Sequence, residues 1–438
     1  MPKSDLLQRS LASVWHPCTQ MKHHERFPLV PIARGEGLWL HGEDGRRYFD
    51  AVSSWWVNLF GHAHPAINAA ITDQLQTLEH VMLAGFTHRP AVELAERLRA
   101  LTSDALGHVF FASDGASATE IALKMSAHYW RNKGRAEKNR FVCLAGSYHG
   151  ETAGALAVTD IALFRDAYAP LVRGADIVAS PAGTASDAPS AEARIRQALI
   201  ALDAHLAEHA DTTAALIVEP LVQCANGMRM YDASYLREAR ALCDRHAVHL
   251  IADEIAVGCG RTGSFFAHEQ ADIRPDLLLL SKGISGGYLP LSLVLATDDI
   301  YAAFYDEDSS RGFLHSHSYT GNPLACRAAL ATLDLFASED VLARNRERAA
   351  MLERLAAPLA RHAAVRDFRR CGMIWAFEVD TDDPAFSRRM FESALHHELL
   401  LRPIGRTVYW MPPYLFDETD AAFLVQRTGE ALEAVLRA

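Results

Sequence analysis

The sequence predicts an α/β fold: a doubly wound, mostly parallel sheet in a large domain, plus a smaller α+β domain drawn from both ends of the chain. Three observations carry this. Between about residues 61 and 335, short apolar runs alternate with helical patterns, as in successive βαβ units. Runs such as Leu277-Leu278-Leu279-Leu280 have no polar face, so they read as strands buried on both sides. Several runs end in an ionisable residue, and open α/β sheets bind ligands at the carboxyl ends of their strands. Residues 1–60 and 336–438 lack that alternation. They are assigned to the N- and C-terminal parts of the small domain, leaving 61–335 as the large one.

The chain has 438 residues, 50% of them hydrophobic, enough for two cores. A net charge of −11 argues against non-specific nucleic-acid binding, which needs a basic face. Met1 to Val14 has no apolar core of signal-peptide type, and no run approaches the roughly 18 apolar residues of a membrane span. Seven scattered cysteines without a C-x-x-C pair suit reduced thiols in a cytoplasm.

In chain order, Leu38 to His41 and Tyr48 to Asp50 read as two strands about an Asp44-Gly45 turn. Ser53-Ser54-Trp55-Trp56 brings two large rings together, as a core or interface cluster. His108 to Ala112 is a strand and Ser113 to Ser117 a turn. Ala118 to Trp130 is a helix, with Glu120 and Lys124 paired at i, i+4. A strand, a small-residue turn and a helix start together make a phosphate cradle. Arg140 to Leu144 is the next strand, leading to Tyr148-His149-Gly150. Ala179 to Ser190 reads as a surface excursion, Ala193 to Glu208 as a helix, and Ala215 to Val218 as a strand ending at Glu219. Gly258-Cys259-Gly260-Arg261-Thr262-Gly263 matches the dinucleotide fingerprint. The preceding strand has already ended at Asp253, so these glycines do not form its tight strand–helix turn. The histidines of His62-Ala63-His64 and His315-Ser316-His317 lack a third ligand at sensible spacing, and no metal is expected. Beyond residue 336 come Ala/Leu/Arg-rich helices, the strand Met373 to Val379, and Leu400-Leu401-Arg402-Pro403.

Two strand ends stand out. Lys282 follows the four leucines, and Asp253 ends His249-Leu250-Ile251-Ala252. A lone lysine at a strand end can simply snorkel, and a lone aspartate can cap a turn. Together they are what pyridoxal phosphate requires: an amine to bond the cofactor and an acid to keep its ring nitrogen protonated. A desolvated lysine also loses proton affinity and becomes a nucleophile.

Ile251 to Ile255, Ser281-Lys282-Gly283, Ser147 to Gly150 and Tyr319 to Pro323 resemble segments of the class III, fold-type I aminotransferases. Trp15-His16-Pro17, Ser53 to Trp56, Gly227 to Tyr231, Leu401-Arg402-Pro403 and Met411 to Tyr414 resemble a biotin-synthesis branch of that family. The resemblance implies transfer of an amino group from S-adenosylmethionine to 8-amino-7-oxononanoate, giving 7,8-diaminononanoate. The rivals are lysine as donor, or an ω-aminotransferase using pyruvate. It implies Lys282, Asp253 and Tyr148 as catalytic residues, and Gly115, Ala116, Tyr148, Asp253, Lys282, His317 and Ser318 around the cofactor. It further implies Trp55, Tyr148, Lys282, Ser316 and Arg402 around the substrate, with Arg402 clamping its carboxylate and Arg261 available to a donor. Trp15 and Cys18 are expected on the same wall as Trp55. The Ser316–Ser318 loop is expected to serve the other subunit's cofactor, making an obligate homodimer. The sequence departs from the family pattern at Cys18, Ala116 and Ser316-His317-Ser318. Ala116 keeps the backbone N–H but lacks a hydroxyl, so one hydrogen bond is missing or is made by Ser117.

Overall fold

The computed structural model describes residues 5–437 except Pro28, Ala185 and Ala188. The first four residues of the stretch Met1 to Val14, and two residues of the Ala179–Ser190 excursion, therefore lie outside the described residues. After a helix at Asp5–Ser13 come three short strands, β1 (Ile32–Glu36), β2 (Trp39–Gly42) and β3 (Arg47–Asp50), paired antiparallel in sequence. The expected hairpin is present, and β1 extends it by one strand.

The large sheet follows, from β4 (His108–Ala112), β5 (Arg140–Leu144), β6 (Asp176–Val178) and β7 (Thr213–Val218). A hairpin of β8 (Val222–Gln223) and β9 (Arg229–Met230) intervenes. Then come β10 (His249–Asp253), β11 (Leu277–Leu280) and β12 (Ser292–Ala296). Across the sheet the order is β4-β12-β11-β10-β7-β5-β6. β12 runs antiparallel to both neighbours, and the pairings among β11, β10, β7, β5 and β6 are parallel. β11 shows why four leucines stand in a row. Leu278 and Leu280 enter one hydrophobic core, while Leu277 and Leu279 enter another on the opposite face. The Gly115–Asn132 helix brings Ile121, Ala122 and Met125 to the second core. Ile284, Leu330 and Leu333 join the first.

The last strands are β13 (Val365–Cys371), β14 (Ile374–Val379), β15 (Leu399–Leu400) and β16 (Thr407–Trp410). β13, β14 and β16 form a separate antiparallel sheet. β15 pairs in parallel with β3, so residues near 400 complete a sheet begun near residue 32. Among the described residues, no helix is long and apolar enough to cross a membrane.

Candidate active site

Four neighbouring strands deliver the polar groups of one cavity. β11 ends two residues before Lys282, β10 ends on Asp253, β7 ends one residue before Glu219, and β5 ends four residues before Tyr148. Parallel register sets Asp253 beside Leu279. All four side chains line a cavity of about 280 Å³, together with Gly115 and Ala116. This floor is a product of sheet order: neighbouring parallel strands must end side by side.

Burial holds the Lys282 amine below the ordinary lysine value, against the pull of Cys224, Asp253 and Glu219. Its Nζ lies 4.6 Å from the centre of the Trp56 ring. Asp253 is only 4% exposed. Its Oδ1 accepts from Ile255 N at 3.0 Å, and its Oδ2 lies 2.6 Å from His149 Nδ1. The Tyr148 hydroxyl donates to Glu151 Oε1 at 2.8 Å, and burial, then that bond, pushes its pKa up, so it stays a neutral donor.

Gly115 and Ala116 open an 18-residue helix that begins earlier than its apolar pattern suggests. As its first two residues they present N–H groups that no helical carbonyl reaches. Asp114 caps this helix, and Ser117 is spent on the cap: its N donates to Asp114 Oδ1 at 3.0 Å and its hydroxyl to Oδ2 at 2.7 Å. Ser117 therefore does not replace the hydroxyl missing at Ala116. Gly150, at φ +121°, explains the close approach of the next loop, since a Cβ there would stand 2.6 Å from that of Ala116. The expected Glu120–Lys124 pair does not form. Glu120 Oε1 accepts from Gly154 N at 2.7 Å, and Lys124 Nζ lies 2.8 Å from His315 Nδ1.

The opposite wall is built differently. Ser53, Ser54, Trp55 and Trp56 all have positive φ, from 46° to 75°, and form a left-handed turn closed by Trp56 N donating to Val52 O at 2.8 Å. The two rings diverge. Trp56 is buried, lines the lysine cavity and donates its Nε1–H to the Tyr409 hydroxyl at 3.1 Å. Trp55 is 43% exposed, with its ring 4.7 Å from the Arg402 guanidinium carbon. Side chains and distant backbone hold the turn. Asp50 accepts from Ser54 N and its hydroxyl, and Ser53 donates to Met411 O. Arg261 is 1% exposed. It donates to the carbonyls of Trp56, Asn58, Met411 and Pro412, and rests 4.9 Å from the centre of the Tyr414 ring. The expectation of a free Arg261 is thus overturned: its terminal nitrogens are committed to backbone, which a buried cation requires.

Other expected residues lie further out. Arg402 and Cys18 line a second cavity of about 570 Å³, not the lysine cavity, and Trp15 is 82% exposed. His317 has ring nitrogens 3.5 Å from Ser113 Oγ of its own chain, beside the Gly115 turn. Ser316 and Ser318 are not among the residues lining the lysine cavity. Trp56 and Glu151 line the cavity without having been anticipated. Their signal was proximity, each standing next to or three residues from a singled-out aromatic. The sequence did not reveal the left-handed turn that separates two adjacent tryptophans.

The class-III aminotransferase family model matches residues 20–432. The chain is 43% identical to the adenosylmethionine-8-amino-7-oxononanoate aminotransferase of Helicobacter pylori, over 98% of both chains. It is 38% identical to the protein of that name from Geobacter sulfurreducens, over 96% of both. Among solved structures, the protein of that name from Methanocaldococcus jannaschii aligns with a TM-score of 0.92 at 32% identity, covering 98% of each chain. An amine transaminase from an uncultivated Pseudomonas species, in its pyridoxal-phosphate-bound form, aligns at 0.91 and 32% identity, covering 97% of this chain and 99% of that one. The omega transaminase of Pseudomonas jessenii aligns at 0.94 and 26%, covering 99% of each.

Proposed function

The chain belongs to the class-III aminotransferases, and from that premise we propose that it aminates 8-amino-7-oxononanoate to 7,8-diaminononanoate, with S-adenosylmethionine as donor and pyridoxal phosphate as cofactor. The observation that carries the proposal is the meeting of Lys282 and Asp253 in one cavity, in a chain 43% identical along its length to a relative named for that reaction. The residues fit the cofactor: a buried amine of lowered proton affinity, a buried carboxylate and two free helix N–H groups share the cavity.

Bound there, pyridoxal phosphate supplies an electron sink for the charge that develops at the donor carbon. Lys282 Nζ holds the cofactor and then takes the proton from the donor's α-carbon, a task its lowered proton affinity suits. Asp253, oriented by His149, holds a proton on the ring nitrogen. Gly115 and Ala116 bind the phosphate through backbone N–H groups. The Tyr148 ring, which lines the cavity, would pack against the cofactor, and its hydroxyl would meet substrate. Arg402 binds the distal carboxylate, and Trp55, against its guanidinium, lines the methylene chain. His317 and Ser318 would hold the partner subunit's cofactor, and Ser316 would meet the substrate there, in a homodimer. Residues 1–60 and 336–438 make one small domain around the 61–335 core, a division that suits the pairing of β15 with β3. Seven free cysteines suit a cytoplasmic enzyme.

The backbone is equally close to omega transaminases, so the overall fold does not choose the substrate. Mass spectrometry of the product does. Purified protein with S-adenosylmethionine and 8-amino-7-oxononanoate yields 7,8-diaminononanoate. Amination of pyruvate from simple amines, with the oxononanoate untouched, would place the chain with the omega transaminases.

A further inference from the structure

The histidine pair of His62-Ala63-His64 has no part in the reading above. Among the described residues no group of histidines, cysteines and acids could hold a metal, so the pair is not a metal site. His62 instead faces Asp50, which is fully buried. Asp50 Oδ1 accepts from Val52 N at 3.3 Å and Ser54 N at 2.9 Å, and its Oδ2 accepts from the Ser54 hydroxyl at 2.7 Å. These donors belong to the turn itself. His62 Nε2, 3.0 Å from Oδ2, is the one donor among the described residues that reaches this carboxylate from outside the turn. The Asn58 amide nitrogen lies 3.2 Å from His62 Nδ1 and can only donate, so the imidazole proton stands on Nε2 and points at Asp50. The ring is fixed from behind as well. His62 N donates to Gly37 O at 2.7 Å, and His62 O accepts from Gly37 N at 2.9 Å. Gly35 of β1 leaves room for the side chain, since a Cβ there would stand 2.7 Å from the His62 Cβ and 2.8 Å from its Cγ.

We propose that His62 is a positioning residue for recognition of the keto acid. Its Nε2–H holds Asp50, Asp50 holds Ser54 in the left-handed region, and Ser54 sets the ring of the next residue, Trp55, against Arg402. The neighbouring residues of the turn are tied elsewhere: Ser53 to Met411 O, and Trp56 to Tyr409 and Arg261. Ser54 has both its N and its hydroxyl on Asp50. A serine with positive φ is costly, and it keeps that conformation only while its acceptor is held in place. Loss of His62 therefore loosens Trp55, while Trp56, Lys282 and Asp253 keep their contacts. The effect on recognition rests on the reading that Trp55 and Arg402 receive the keto acid, but the placing of Trp55 does not.

The test compares cofactor-loaded wild type, His62→Leu, His62→Gln and Gly35→Ala. Leu removes both ring nitrogens, and Gln keeps an N–H at the reach of Nε2. Gly35→Ala displaces the ring without removing a polar group, and it carries the test alone if the Leu variant does not fold. Near-ultraviolet circular dichroism reads Trp55 directly, as the band that wild type shows and Trp55→Phe lacks. His62→Leu and Gly35→Ala should lose that band, and His62→Gln should keep it. In kinetics, His62→Leu and Gly35→Ala should raise KM for the keto acid by about tenfold, with kcat within about twofold of wild type. His62→Gln should stay close to wild type in both. In a Trp55→Phe background, His62→Leu should add nothing further to KM, because both changes act through one ring. A Trp55 band retained in His62→Leu and Gly35→Ala would overturn the proposal. So would an unchanged KM beside a lost band, a fall in kcat as large as the rise in KM, or KM effects of His62→Leu and Trp55→Phe that multiply. A wild type that aminates no keto acid, with the band lost in Leu and kept in Gln, would count against the reaction and not against His62.

Discussion

The floor and the wall of the lysine cavity are made by opposite means. The floor is regular structure: Lys282, Asp253, Glu219 and Tyr148 are placed by the order and register of β11, β10, β7 and β5. The wall is strained structure. Four consecutive non-glycine residues, Ser53 to Trp56, sit in the left-handed region, at about 1–2 kcal/mol each. They stay there because Asp50, Met411, Tyr409 and Arg261 hold them. The two regions touch where the lysine loop passes the turn. Gly287, at φ +86°, packs so closely on Asn58 that a Cβ would stand 2.9 Å from its backbone. The difference teaches that a sheet can set the charges for chemistry with a single left-handed residue among them, Lys282 at φ +45°. Shape for recognition needed a backbone that only tertiary contacts stabilise.

Substitutions can break this contrast, because floor changes should alter chemistry and wall changes should alter stability or KM. Lys282→Ala should have the largest effect: no covalent cofactor attachment, and kcat lower by about 10⁴-fold, with the melting temperature of the cofactor-free protein nearly unchanged. Near-normal turnover would remove Lys282 from the chemistry. Asp253→Asn should lower kcat by about 10²–10³-fold in a folded protein, and kinetics like wild type would mean that another acid serves the ring. On the wall, Arg261→Met removes a donor from four buried carbonyls, of which Met411 O keeps the Ser53 hydroxyl. It should cost about 3 kcal/mol or more in urea unfolding. A loss below about 1 kcal/mol, the worth of a single ordinary hydrogen bond, would show that the left-handed turn holds without its buried cation. Arg402→Ala should weaken the keto acid by about 1.5–3 kcal/mol, read as KM with kcat little changed. Unaltered KM would assign the carboxylate to another residue. Asp114→Ala, which uncaps the Gly115–Asn132 helix, should cost only about 1 kcal/mol of stability. A greater loss would mean that Asp114 supports more than the cap.

The same contrast explains what was legible in the sequence. Apolar runs mark strands, and a charge at the end of a run marks a strand end, so Lys282, Asp253 and Glu219 could be read directly. The helix at Gly115 was placed three residues late, because its first turn is small and polar and its apolar stripe starts at Ala118. Nothing local marks Ser53 to Trp56 as left-handed, since the serines and tryptophans do not favour positive φ. The cause lies in Asp50, Arg261 and Met411, and two of these are more than 200 residues away. For the same reason nothing in the sequence opposed the expectation that Arg261 is available to a donor. Its partners are main-chain carbonyls, which leave no trace in composition or spacing.

The half-reaction with the donor alone tests the central claim most directly. S-adenosylmethionine added to the yellow, cofactor-loaded protein, without keto acid, should discharge the yellow band and release one keto product per site, while lysine leaves the colour unchanged. Discharge by lysine or a simple amine, with none by S-adenosylmethionine, would keep the fold and Lys282 but contradict the proposed reaction.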